Sequence, residues 1–217
     1  KSLLSNINLT MKERIEIGET MSREILKDMN VNNESSEYKI LLRIMKNIES
    51  RLAKPVGYNY KIYFIDDNKV NARTYLGHIF FYRGMFDFCR NESELATIIA
   101  HEIAHNELGH FDLDIKKKNL LSKIGLGSDL IERMLFSENV LTQTFNQRKE
   151  FECDLFGFDL IYPTNFNYCS PIDLWERMSQ EEEVNSVGTF LRTHPYSIYR
   201  VTCLKNHMSN NYNLNCD

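Results

Sequence analysis

Asn91-Glu92-Ser93-Glu94-Leu95-Ala96-Thr97-Ile98-Ile99-Ala100-His101-Glu102-Ile103-Ala104-His105 is the stretch on which the fold turns. Asn91 to Ser93 can cap a helix, and Glu94 falls in its first turn, where a negative charge meets the positive end of the helix dipole. Leu95, Ile98, Ile99 and Ile103 continue at helical spacing. His101 and His105 are four residues apart, so their side chains leave the same face about one turn apart. Two imidazole nitrogens so placed can both reach one Zn²⁺ at about 2.0–2.1 Å. Glu102 then stands beside the metal without being a ligand, within reach of a water whose proton it can take. A five-residue match of this kind also occurs by chance in unrelated helices. Its apolar flanks here are those of a buried catalytic helix.

The third ligand decides the subclass. An extended His-Glu-x-x-His-x-x-Gly-x-x-His pattern needs Gly at Leu108 and His at Phe111, and neither is present. His110, five residues after His105, points to a different side of the helix and is expected to be a packing or polar surface histidine. Arg148-Lys149-Glu150-Phe151-Glu152-Cys153-Asp154 offers a better source. Glu150 and Asp154 share one helical face; Glu152 does not. Glu150 can complete a His₂Glu set with a fourth position left for water. Asp154 can accept a hydrogen bond from the free ring nitrogen of a ligating histidine and so hold its tautomer.

Outward from this core, the chain reads as an α+β protein. Thr10 to Asn30 and Ile40 to Leu52 carry apolar residues at helical spacing, separated by a turn and N-cap at Asn32 to Ser36. Tyr58–Ile65, Val70–Tyr75 and His78–Tyr82 read as three short strands, expected as an antiparallel meander. Beyond the metal helix, Gly125 and Gly127 precede a helix near Ser128. Others are expected over Arg148 to Asp159 and from Pro171 to about Glu182, followed by an Asn-rich, frayed tail.

Composition narrows the class. The 217 residues are 42% hydrophobic and 26% charged, enough for a core that needs no structural metal. A net charge of −4 gives no reason to expect nucleic acid, and the run Lys116-Lys117-Lys118 reads as a solvated helix end. No segment approaches the roughly 18 apolar residues of a membrane span, which leaves peripheral or lipid-anchored association with a membrane compatible. The chain does not begin with Met, so removal of a targeting segment is compatible too. Five cysteines make no Cys-x-x-Cys pair, which argues against a cysteine zinc site. Their odd number leaves at least one unpaired and permits one or two disulfides.

Four segments together resemble the zinc metallopeptidase family of HtpX, the CAAX prenyl proteases, BepA and LoiP. They are Val70-Asn71-Ala72 with Gly77-His78-Ile79-Phe80 and Arg83-Gly84-Met85; Asn91 to His105 with Gly109-His110; Arg148-x-Glu150-x-Glu152-Cys153-Asp154-x-x-Gly157; and Thr193-His194-Pro195 with Arg200. The resemblance implies a zincin-like (gluzincin) catalytic domain, mostly helical, with a small sheet whose edge strand flanks the metal helix. It implies one domain over 1–217: a helical part (1–55), the sheet (58–85), the metal-binding helices (91–160) and a helical C-terminal part (171–217). One Zn²⁺ per chain is implied, on His101, His105 and Glu150, with Glu102 as base and a polypeptide as substrate. Asn71 and Ala72, with Gly77, would lie where substrate backbone adds to the sheet. His194 would either polarise the scissile carbonyl or fill the open metal position in a resting state. Arg200 would orient that segment or help stabilise the oxyanion.

Two features depart from the family pattern: Cys153 where Ala is usual, and Tyr75-Leu76 where a Gly pair or Pro precedes Gly77. Without hydrophobic spans beside the metal helix, the chain resembles the periplasmic branch, so an exported protein in quality control is expected; the cytoplasm is not excluded. Two other functions stand beside the protease: a latent or weakly proteolytic chaperone-like module, and a metalloprotease effector with one narrow target.

Overall fold

The computed structural model describes residues 9–111, 147–180, 188, 190, 194 and 198–216. The expected helix near Ser128 and the Lys116–Lys118 run lie outside the described residues.

Helix α1, Met11–Lys27, starts where Thr10 and Glu13 cap one another: the Glu13 amide donates to the Thr10 hydroxyl, and Glu13 Oε2 accepts from the Thr10 amide. Its inward face is Gly18, Met21, Ser22 and Ile25, one stripe at helical spacing. Helix α2, Ser36–Glu49, is capped by the Ser35 hydroxyl and buries Leu41, Ile44, Met45 and Ile48. Both helices follow the apolar periodicity of the sequence.

The three strands are β1, Lys61–Ile65; β2, Ala72–Tyr75; and β3, His78–Tyr82. They do not form an antiparallel meander. Their order is β1-β3-β2, with β1 parallel and β2 antiparallel to β3. The reason lies in β3, which is buried at all five of its positions and so takes the central place between two neighbours. A turn of only Leu76 and Gly77 ties β2 beside it, which leaves β1 the far side. The segment after α1 pairs with the outer side of β1 through Asn32 N to Phe64 O and Asp66 N to Asn30 O. Helix α3, Arg83–Phe88, follows β3 directly.

Helix α4, Glu92–Glu107, carries the two motif histidines and is buried continuously from Glu94 to Asn106. A helix hidden on every side belongs in the middle of the fold rather than on its surface. Helices α2, α5 (Gln147–Ile161) and α6 (Ser170–Gln180) and strand β2 surround it. The approach of α5 is close at Gly157, where a β-carbon would sit 3.2 Å from His101 N. Burial of Glu94 is offset by Arg177 of α6, whose guanidinium donates to both carboxylate oxygens at 2.9 and 2.5 Å.

Helix α7, Ile198–Tyr212, packs on α5 and α6. The tail beyond it is not frayed: Cys216 is buried and bonded to Cys169, 47 positions away in sequence. Cys89, Cys153 and Cys203 are free.

Two stability measurements follow. Arg177→Met leaves the Glu94 carboxylate buried without its bidentate partner and is expected to cost about 3–5 kcal/mol in urea unfolding. Cys216→Ser, or reduction, is expected to cost roughly 2–4 kcal/mol, because the cross-link restricts a long loop of the unfolded chain.

Candidate metal centre

The centre lies between α4 and α5. His101 and His105 rise from one face of α4, and Glu150 and Asp154 face them from α5. His101 Nε2 is 3.1 Å from His105 Nε2 and 3.3 Å from Glu150 Oε2, and His105 Nε2 is 3.5 Å from Glu150 Oε1. His194 joins them, its Nδ1 3.3 Å from both His101 Nε2 and Glu150 Oε2. Ligand atoms 2.0–2.1 Å from one ion at tetrahedral angles stand roughly 3.3–3.4 Å from each other. The observed spacings, 3.1 to 3.5 Å, fit that figure. All four residues are buried.

The charges around this cluster call for a cation. Burial by itself would lower the pKa of His101, but hydrogen bonds and charge from Asp154 and Glu150 outweigh it and lift the value to about 9. The site thus holds a positive charge on His101, a place that a metal on Nε2 can take over from the proton. Burial would raise Glu150, yet the charges of His194 and Arg200 with hydrogen bonds from His101 and His194 hold it well below the carboxylate range. Burial pushes His105 well below its usual value, toward the neutral form that ligates. Donor type, spacing and charge therefore all fit a zinc ion.

Behind the donors lies a second layer of contacts. Asp154 Oδ1 is 3.0 Å from His101 Nδ1, and Arg200 donates to Asp154 through Nε and a terminal nitrogen, both at 2.7 Å. Arg200 also stands 3.2 Å from Glu150 Oε2 and lies over the Trp175 ring at 4.5 Å. Trp175 meets the His101 ring edge-on at 5.6 Å, and Phe190 stacks between Trp175 and His194. The structure thus brings His101, His105, Glu150, Asp154, His194 and Arg200 into one buried group.

Glu102 points into the same region. Its Oε1 is 3.5 Å from His194 Nε2, and neither carboxylate oxygen has a hydrogen-bond partner among the described residues. Burial raises its pKa above the usual range, against the lowering charges of His194, His101 and Arg73 of β2. A carboxylate so raised takes up a proton more readily than one in water.

Of the three strand residues singled out in the sequence, Asn71 and Ala72 are buried at the start of β2, and Asn71 O accepts from Tyr82 N. The Asn71 amide has no hydrogen-bond partner among the described residues. Gly77 occupies the β2–β3 turn with φ 88° and donates its amide to Asn106 Oδ1 at 2.9 Å. Asn106 was not singled out, yet it also donates to Thr74 Oγ1 and to Glu102 O and so ties the turn to the metal helix. Its place four residues after Glu102, on the same face of the motif helix, was the available signal. His110 is buried rather than a surface residue, with its pKa pushed down to about 4 chiefly by burial, and its Nδ1 lies 2.9 Å from His105 Nδ1. Of the two expectations, packing or polar surface, burial favours packing; the contact with His105 was not foreseen, because the helix ends at Glu107 rather than running on.

A model described as Peptidase family M48 matches residues 37–208. The mitochondrial metalloendopeptidase OMA1 of Saccharomyces cerevisiae is 27% identical over 159 residues, covering 67% of this chain and 46% of that protein. The metalloprotease LoiP of Escherichia coli is 26% identical over 186 residues, 81% of this chain and 72% of LoiP. The β-barrel assembly-enhancing protease of Escherichia coli is 23% identical over 219 residues, 91% of this chain and 44% of that protein. This chain therefore spans less than half the length of the first and third of these relatives.

Zinc titration against a chromophoric chelator tests the arrangement. Asp154→Asn is expected to weaken binding by about 10–100-fold, since it removes the charge that orients His101. Asp159→Asn, on the same helix but paired with His207, is expected to leave binding within about twofold.

Proposed function

The chain belongs to peptidase family M48, and from that premise we propose that it is a zinc-dependent endopeptidase acting on extended or misfolded polypeptides. The observation that carries this reading is the set of mutual spacings of His101, His105 and Glu150, 3.1 to 3.5 Å, beside a Glu102 carboxylate with no hydrogen-bond partner among the described residues. His101, His105 and Glu150 would hold one Zn²⁺. When bound, the metal supplies Lewis acidity, polarising the scissile carbonyl and making water a competent nucleophile near neutral pH.

The remaining work falls to the chain's own side chains. Glu102 takes the proton from the attacking water and returns it to the departing amine, a role that its burial-raised pKa favours. Asp154 fixes the His101 ring, and Arg200 holds Asp154 and Glu150 in register, which makes Arg200 a positioning residue. Substrate backbone adds alongside Asn71 and Ala72 at the start of β2, an edge strand among the described strands, with Gly77 shaping the turn. Asn106 keeps that strand at a set height over Glu102.

A second reading, a latent enzyme, has an observation of its own. His194 Nδ1 stands at ligand spacing from His101 and Glu150, so His194 can fill the fourth metal position that a substrate would need. It can equally polarise the carbonyl once displaced. Opposite effects of one substitution separate these roles: His194→Ala raises turnover if the side chain plugs the site and lowers it if it polarises.

Outside the cytoplasm is the setting we favour. The Cys169–Cys216 disulfide suits an oxidising compartment, as quality control in the cell envelope would require. No helix among the described residues is long and apolar enough to cross a membrane.

The purified protein is expected to hold about one zinc, to cut unfolded casein, and to stop when the metal is chelated. Glu102→Gln is expected to keep its zinc and lose turnover by about 10²–10⁴-fold. Full activity in that variant overturns the mechanism, and cleavage of a single native protein with casein ignored favours a narrow-target effector instead.

A further inference from the structure

His105 has two ring nitrogens, and the proposed metal uses only one. Nε2 faces His101 and Glu150; Nδ1 points the other way, 2.9 Å from Nδ1 of His110. Both rings are buried, at 0% and 6% exposure. Two imidazole nitrogens at that distance form a hydrogen bond in which one must donate and the other accept.

The roles follow from the ligand assignment, on which this inference rests. With Nε2 of His105 given to the metal, its ring proton sits on Nδ1, so His105 donates and His110 Nδ1 accepts. The proton of His110 is then on Nε2, which lies 3.5 Å from Glu152 Oε2. A chain of contacts thus runs from a metal ligand through a second imidazole to a partly exposed carboxylate. The two ligating histidines are backed differently: His101 by the anionic Asp154, His105 by an imidazole.

The end of α4 explains how a residue five positions on can reach back. On a continuous helix His110 would sit about 140° around from His105. The helix stops at Glu107, and Gly109 takes φ 67°. His110 N then donates to His105 O and Gly109 N to Asn106 O, both at 3.1 Å, the paired bonds of a Schellman cap. That reversal folds His110 against the last helical turn. Lys149 of α5 donates to its carbonyl at 2.8 Å, and Cys153 Sγ lies 3.4 Å from its Nδ1.

We infer that His110 is a positioning residue for the metal ligand His105, fixing its tautomer and ring angle through the Nδ1–Nδ1 hydrogen bond. An amide separates this role from mere space-filling, because Asn places its oxygen near the Nδ1 position of histidine and Gln near Nε2. The test is zinc affinity of the full chain by chelator competition, with melting of the metal-free protein alongside. His110→Asn is expected to bind within about threefold of the parent, and His110→Gln about 10–100-fold more weakly, with matching metal-free melting temperatures. If the Gln variant does not fold, His110→Leu, which keeps apolar volume, takes its place with the same expected loss. Equal affinities of the Asn variant and its partner, whether both normal or both weak, overturn the inference. His105→Ala serves as the separate control: undiminished zinc binding there sinks the ligand assignment itself, whereas loss there with equal His110 variants sinks only the role of His110.

Discussion

Glu150 holds a negative charge where water does not reach, and much of the fold can be understood as the surroundings that make this tolerable. An ionised carboxylate in such a place would ordinarily take up a proton. Here Arg200 and His194 stand beside it, and His101 and His105 face it across the α4–α5 interface. The same side chains that surround it build a pocket of converging donors. The interface admits this group because Gly157 lets α5 come within β-carbon contact of the backbone at His101. A bulkier residue there would push the carboxylate out of ligand spacing.

The layers outside the donors repeat this logic of compensated burial. Asp154 is satisfied by His101 and Arg200, and Arg200 in turn lies against Trp175. Glu94, at the other end of α4, is held by Arg177. Such pairs contribute little net stability compared with apolar packing, but breaking one leaves a buried charge without a partner. They therefore select one packing of α4, α5, α6 and α7 over its near alternatives. Glu102 is the exception, a buried carboxylate whose oxygens no hydrogen bond satisfies among the described residues. A functional role gives that cost a purpose.

Much of this was legible in order along the chain. The four-residue spacing of His101 and His105 on a helix follows from helical geometry, and the pairing of Glu150 with Asp154 on one face follows from the same rule. The apolar stripes of α1 and α2 and the Ser35 and Asn91 caps are local signals and appear where the sequence puts them. What misled was local in form but tertiary in origin. The strands looked like a meander because three short runs with turns between them ordinarily are one. The complete burial of β3 made it central and set β1 parallel to it. The Asn-rich tail looked frayed because composition alone says nothing of the Cys169–Cys216 link.

By itself, then, the sequence determined the helix that carries His101, Glu102 and His105 and the helix that carries the facing carboxylates Glu150 and Asp154, since each depends on spacing within a single helix. Asp154 apart, only the tertiary structure decided what stands behind those groups. Arg200 and Trp175 reach the site from helices distant in the chain, and no periodicity couples them to His101. His110 was placed by the helix end: Gly109 turned the chain and brought its ring to His105, which a reading based on an uninterrupted helix puts on the wrong side. Spacing rules hold only while the element lasts, and where it ends is settled by hydrogen bonds that form in the folded chain.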